Sequence, residues 1–105
     1  MKVLENTFTQ SDNKVLVDNE HAKIELTTLA EDLSIATITV HGLQEYSFTA
    51  RSGLLTPQIG TGTISNGKET HEVTIFNRVA VQRGERITLK NDQQIPFVLN
   101  FISAN

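Results

Sequence analysis

The stretch His71 to Ser103, HEVTIFNRVAVQRGERITLKNDQQIPFVLNFIS, decides how the chain folds. It reads as three β-strands joined by two polar turns, Arg83-Gly84 and Asn91-Asp92. Val73, Ile75, Val79 and Val81 share one face of the first strand. Asn77 interrupts that face, so a bulge or a hydrogen-bonded polar residue is expected there. Ile87 and Leu89 mark the second strand. The third strand, Pro96 to Ser103, is apolar on both sides: Phe97, Leu99 and Phe101 on one, Val98 and Ile102 on the other, with Asn100 between them. A sandwich strand fills its own core with one face. The second face then asks for cover, from the N-terminal arm or from another subunit.

Upstream, Asn66-Gly67 is the strongest hairpin signal in the chain, because the favoured tight turn takes positive φ at both central positions. Ile59 to Ser65 before it is Gly- and Thr-rich and weakly strand-like. Residues 52–58, SGLLTPQ, read as a loop punctuated by Gly53 and Pro57. Gln44 to Arg51 alternates, with Tyr46, Phe48 and Ala50 inward. Leu33 to His41 is a strand whose apolar phase slips from Leu33/Ile35 to Ala36/Ile38/Val40, which implies a bulge or burial on both faces. Ala22 to Leu29 has one wet face. Val15 and Val17 lie on a short strand that ends at Asp18-Asn19.

No segment keeps a helical period over three turns. Eight short strands at intervals of roughly ten residues predict an all-β, eight-stranded antiparallel β-sandwich of the jelly-roll type. Residues 14–105 form that single domain. Residues 1–13 are expected to be an arm or irregular lead-in, in which Phe8, flanked by Thr7 and Thr9, is placed to add a short strand to a neighbour.

The 105 residues suit one domain with a modest core. There are no cysteines, so disulfides and thiolate metal sites are excluded. No stretch approaches the roughly 20 apolar residues of a membrane helix, and no membrane insertion is expected. The first residues, MKVLENTFTQSDNK, carry no apolar run of signal-peptide length, so export by the standard route is not expected. The net charge of −3 is uneven. Residues 1–50 set three lysines against eight acids, and all four arginines (Arg51, Arg78, Arg83, Arg86) lie in the second half. No basic cluster interleaved with aromatics appears, which argues against nucleic-acid binding.

Catalytic signals are absent. His21, His41 and His71 could in principle share a zinc ion, but none has a second ligand at helical spacing, and strand neighbours such as His71 and Glu72 point to opposite faces. No metal site, no cofactor and no catalytic residue is expected. Gly60-Thr61-Gly62-Thr63 lacks the Lys-Ser/Thr and the helix of a phosphate loop. The pairs Glu31-Asp32 and Glu69/Glu72 read as solvated charges, since no dense acidic loop accompanies them. With no Trp, stacking platforms for sugars are few.

A family likeness rests on Gly60 to Thr63, Val73 to Val81, the run Gln82-Arg83-Gly84-Glu85-Arg86-Ile87-Thr88-Leu89-Lys90-Asn91, and Phe97 to Phe101. This part of the chain, residues 60–103, resembles the last strands of tumour-necrosis-factor/complement-head-like jelly rolls of the bacterial collagen-like and phage spike type. Those carry a Gly-Asp-x-Ile-x-Leu-x-Asn run, matched by Gly84, Ile87, Leu89 and Asn91 with Glu85 in place of Asp. The resemblance implies a trimer packed about a threefold axis. Joined to the two-faced last strand, it leads to the expectation of a non-enzymatic structural or attachment domain. Such a domain would be a homotrimeric decoration, spike or tail component of a virion, made in the host cytoplasm. It would dock on capsid or tail proteins or on a cell-surface glycan. Val98, Asn100, Ile102 and Phe8 are its candidate interface residues. The alternative is a small carbohydrate-binding module at a cell surface or outside the cell.

Overall fold

A computed structural model describes residues 13–30 and 33–104 of the chain. They form ten strands and, among the described residues, no helix. These are β1 (Asn13–Asp18), β2 (Ala22–Ala30), β3 (Leu33–Val40), β4 (Glu45–Thr49), β5 (Gly53–Ile59), β6 (Gly62–Ser65), β7 (Thr70–Val73), β8 (Val79–Val81), β9 (Arg86–Lys90) and β10 (Phe97–Ala104). They pair antiparallel in two sheets, a six-stranded one ordered β1-β2-β3-β10-β5-β8 and a four-stranded one ordered β4-β9-β6-β7.

The pairing has a simple rule. β6 pairs with β7, β5 with β8, β4 with β9 and β3 with β10. The chain from Leu33 to Ala104 is therefore one long hairpin, folded at its middle and wound so that successive pairs fall in alternate sheets. β1 and β2 extend the larger sheet beyond β3.

Period-two alternation makes one face of each strand apolar, and the two apolar faces meet. Phe97, Leu99 and Phe101 of β10 fill the core together with Ile38 and Val40 of β3, Leu55 of β5, Ile64 of β6, Val73 of β7, and Ile87 and Leu89 of β9. The ring of Phe48 lies tilted against that of Phe101, centroids 6.0 Å apart, and closes the core from the smaller sheet. At roughly 25 cal/mol per Å² of apolar surface, this burial is the main stabilising term.

Three expectations need correction. The strand count is ten, not eight. Residues 53–59 are a strand rather than a loop. Pro57 is tolerated because β8 pairs only with Gly53 to Leu55, so no neighbour on that side needs the missing N–H. Gly53 itself is demanded by packing, since a Cβ there would lie 2.6 Å from the Phe101 ring. The single strand expected across Val73 to Gln82 is two strands in different sheets. Asn77 breaks it: its Oδ1 accepts from the Thr74 N–H at 2.9 Å, and its own N–H donates to the Thr74 carbonyl at 3.0 Å. That closes a turn, and Ile75 and Phe76 at its tip are exposed.

Two further local readings shift. β3 runs in unbroken register with β10, and the irregularity lies on β2 between Thr28 and Ala30. Ser34, Ala36, Ile38 and Val40 point inward, while Ile35 faces outward and is half-buried. At the β6–β7 hairpin the connection has four residues rather than two. Gly67 alone takes positive φ, and Asn66 Oδ1 accepts from the Lys68 and Glu69 N–H groups at 2.9 and 2.8 Å. The expected arm, residues 1–13, lies outside the described residues except for Asn13, which opens β1.

Asn91 binds the far end of the sandwich. It is 1% exposed, and its Nδ2 donates to the carbonyls of Ile95 (2.7 Å), Val40 (3.1 Å) and, more weakly, His41 (3.3 Å). Its Oδ1 accepts from the Gln93 N–H at 2.9 Å, and its backbone N–H donates to the Gln44 carbonyl at 2.9 Å. One side chain thus ties the β3–β4 connection to the β9–β10 connection. Asn91→Ala strands buried carbonyls and is expected to destabilise the fold by roughly 3 kcal/mol, read as a lower denaturation midpoint in urea. Leu43, at φ 62 and 63% exposed, is a strained position with nothing to pack. Leu43→Gly is expected to raise stability by about 1 kcal/mol in the same assay.

Candidate functional site

The winding leaves an open seam on one side of the sandwich. β7 is the last strand of the smaller sheet and β8 the last of the larger, and the turn of residues 74–78 joins them. Between these two edges lies a cleft of about 370 Å³. Its floor is apolar, formed by Ile64, Val73, Val81 and Ile87, which also belong to the core. Its rim is polar, formed by Asn66, Glu69, His71, Glu72, Asn77, Arg78 and Glu85.

Register explains how the rim is built. His71 stands opposite Ile64, so both share the face that looks between the sheets. Two positions on, Val73 uses the same face and is buried, whereas His71, nearer the strand's start, stays exposed. His71 Nε2 lies 3.4 Å from Glu69 Oε2. Glu85 enters from the β8–β9 turn. Its Oε2 accepts from Asn66 Nδ2 at 3.0 Å and its Oε1 accepts from the Gln82 N–H at 2.6 Å. The Asn66 bond, and then the Gln82 bond, hold its carboxyl below the ordinary glutamate range, against a smaller opposing effect of burial. Glu85 is thus an anchored anion that joins the β6–β7 loop to the β8–β9 turn.

The histidines do not converge. His21 and His41 are neighbours across the end of the larger sheet, where the His41 N–H donates to the His21 carbonyl at 3.0 Å. His21 Nδ1 hydrogen-bonds Gln44 Oε1 at 2.8 Å. His71 lies on the outer strand of the smaller sheet. Among the described residues no group of three or more His, Asp or Glu side chains is placed to hold a metal ion. A second, more open depression of about 490 Å³ lies near His21, Gln44, Tyr46 and Asn91, where His21 Nδ1 and the Asn91 N–H are already bonded to Gln44.

The interface residues expected from the sequence lie elsewhere. Val98, Asn100 and Ile102 are on the outer face of β10, with Val98 and Asn100 half-buried and Ile102 39% exposed. Asn100 Oδ1 accepts from Thr37 Oγ1 at 3.4 Å, and Ile102 sits between Ile35 and Leu54. Phe8 is outside the described residues. The cleft was not anticipated, because Asn66 and Glu85 meet only through tertiary folding. In the sequence alone Asn66 reads as a turn residue and Glu85 as one position of a family motif.

No family model matches the sequence, and no curated protein is similar to it. Solved structures are similar in shape. A protein from Photorhabdus luminescens superposes with a TM-score of 0.74 at 15% identity, covering 97% of this chain and 87% of that one. A cupin domain from Bordetella pertussis does so with a TM-score of 0.67 at 13% identity, covering 85% and 98%. A cupin-2 domain from Rhodospirillum rubrum gives a TM-score of 0.72 at 7% identity, covering 99% and 77%. The fold is that of the cupins. These identities establish shape and nothing further.

This overturns the tumour-necrosis-factor/complement-head-like resemblance, since the neighbours are cupin or double-stranded β-helix domains. Its motif has a local explanation. Gly84 turns the chain at φ 93, Glu85 caps that turn through the Gln82 N–H, and Ile87 and Leu89 alternate into the core. Any β-sandwich with such a turn can carry the run. The virion, capsid-decoration, homotrimer and carbohydrate-binding expectations lose their support with it.

Cupin domains are commonly enzymatic or metal-binding. The residues here do not fit a metal held between the sheets. Among the described residues the inward positions are mostly carbon, Ala36, Ile38, Val40, Leu55, Ile64, Ile87, Leu89, Phe97, Leu99 and Phe101, with Ser34 and Ser103 the buried hydroxyls and Asn91 the buried amide, none of them a usual metal ligand. The acidic and imidazole side chains that line a cleft stand at the β7–β8 seam.

Because the folded state lowers the Glu85 pKa, its stabilising contribution is complete above the ordinary glutamate value of about 4.3. It is lost as pH falls through the lower folded value. The stability gap between the wild-type chain and Glu85→Gln is expected to be constant above pH about 5 and to narrow on acidification, as read from thermal midpoints across pH.

Proposed function

We propose that the chain is a non-enzymatic, metal-independent binding domain on a cupin scaffold, and that the β7–β8 cleft takes a small organic amine with a short aliphatic stem. The observation that carries this reading is Glu85, an anchored carboxylate at the mouth of an apolar-floored cleft. Glu69 and Glu72 add two more carboxylates against the single guanidinium of Arg78, so the rim is net acidic. An ammonium is attracted to that rim, and desolvation of its alkyl stem on Ile64, Val73 and Val81 adds about 0.8 kcal/mol per buried methylene. Both Glu85 oxygens already accept hydrogen bonds, which leaves its charge in place and suits a diffuse organic cation better than a metal's tight oxygen shell.

The test is an NMR titration of the full chain with propylamine, hexylamine and, as the anionic control, butyrate. Amide shifts confined to residues 64–87, tighter binding of hexylamine than of propylamine, and no response to butyrate are expected. Glu69→Gln is expected to weaken hexylamine binding about two- to five-fold, the range for one exposed ion pair. Silence with both amines, or an equal response to butyrate, overturns the reading.

A further inference from the structure

The loop that anchors the cleft also carries a reactive pair. Of the asparagines in the sequence, Asn66 alone precedes a glycine. The backbone nitrogen of the residue after an asparagine can attack the side-chain amide, and a glycine there has no Cβ to obstruct the approach. Gly67 is exposed at φ 89, and nothing lies within 4 Å of the place a Cβ would occupy. Asn66 beside it is half-buried, so water reaches the pair from the Gly67 side.

The reaction needs only water. Gly67 N gives up its proton to solvent and attacks Cγ of Asn66. The N–Cγ bond forms, the Cγ–Nδ2 bond breaks, and Nδ2 leaves with a proton as ammonia, so that a cyclic imide remains. Water then opens the imide at either carbonyl. One opening gives aspartate at position 66. The other gives isoaspartate, in which the main chain runs through the former side-chain carbonyl and is lengthened by a carbon. Nothing is oxidised or reduced, and the net change is amide plus water to acid plus ammonia.

In the folded chain the reacting groups are engaged. Asn66 Oδ1 accepts from the Lys68 and Glu69 N–H groups at 2.9 and 2.8 Å, and Nδ2 donates to Glu85 Oε2 at 3.0 Å. The Gly67 N–H donates to Ser65 Oγ at 3.2 Å. Ring closure swings Cγ onto Gly67 N and gives up these bonds, so the fold slows the step. The product does not fit the place the amide held. A carboxylate oxygen replaces the Nδ2 donor opposite the Glu85 carboxylate, and like charges that close repel. We propose that Asn66-Gly67 is a self-modifying site, latched by Glu85, whose hydrolysis irreversibly releases the β6–β7 loop from the β8–β9 turn. The inference rests on the Asn66–Glu85 contact and stands whatever ligand the cleft takes.

Peptide mapping by mass spectrometry of the full chain, incubated at neutral pH, tests it. Aspartate and isoaspartate are expected to accumulate at position 66 ahead of every other described asparagine. The folded chain is expected to convert about ten-fold more slowly than the same chain in urea, the worth of one or two net hydrogen bonds. Glu85→Ala is expected to convert about three- to ten-fold faster than the wild-type chain when folded, and at the wild-type rate in urea. Asn66→Asp, which mimics the product, is expected to shift the Gln82 and Glu85 amide resonances in NMR spectra. Unshifted β10 resonances identify both variants as folded. No conversion at position 66 in the folded chain overturns the proposal. So do equal rates with and without urea, a folded Glu85→Ala chain that keeps the wild-type rate, or an Asn66→Asp chain whose Gln82 and Glu85 resonances match the wild type.

Discussion

The structure depends on the pairing of one chain segment with itself. From Leu33 to Ala104 every strand finds its antiparallel partner by counting outward from the Asn66–Glu69 loop. Once that loop sets the register of β6 on β7, the register of each later pair is constrained. A slip of one residue would turn every inward side chain outward. Phe97, Leu99 and Phe101 make such a slip costly, because they hold the centre of the core from the strand between β3 and β5.

The same winding determines where polar chemistry can sit. Carbon fills the space between the sheets, so functional groups are confined to the places where a sheet ends. The β7–β8 seam collects Glu85, Asn66, Glu69 and His71 because two sheet edges and three connections meet there. At the opposite end, Asn91 uses all of its hydrogen-bonding capacity to hold backbone, which leaves that end structural. A common scaffold thus carries a particular distribution of carbon and polar groups, and that distribution, rather than the fold class, supports the functional reading.

Much of this was legible in the residues. Alternation in β4, β9 and β10 identified their buried faces, and Asn66-Gly67 and Arg83-Gly84 marked real turns. β5 was hidden because Gly53 and Pro57 carry loop signals locally. Their roles, clearance for the Phe101 ring and a position beyond the reach of β8, exist only in the folded sheet. The division into β7 and β8 was concealed by an apolar pattern that continues through Ile75, a residue that ends in solvent. Asn91 looked like a turn residue because nothing local distinguishes a solvated amide from one that satisfies three carbonyls. The cleft was the least legible feature, since Asn66 and Glu85 are 19 positions apart and belong to different connections.

The nested pairing also bears on the order in which the chain assembles. Leu33 pairs with Ala104, 71 positions later, and formed alone that contact would close a long loop. The entropy of closure grows with loop length, and contacts remote in sequence slow folding. Here each pair is preceded by a more local one. With β6 on β7, the partners β5 and β8 are separated only by short connections, and the same holds outward to β3 and β10. A topology of high contact order can therefore be reached through a series of small closures that begins at a four-residue loop, and the Asn66 side chain that anchors the cleft also supports the first of them.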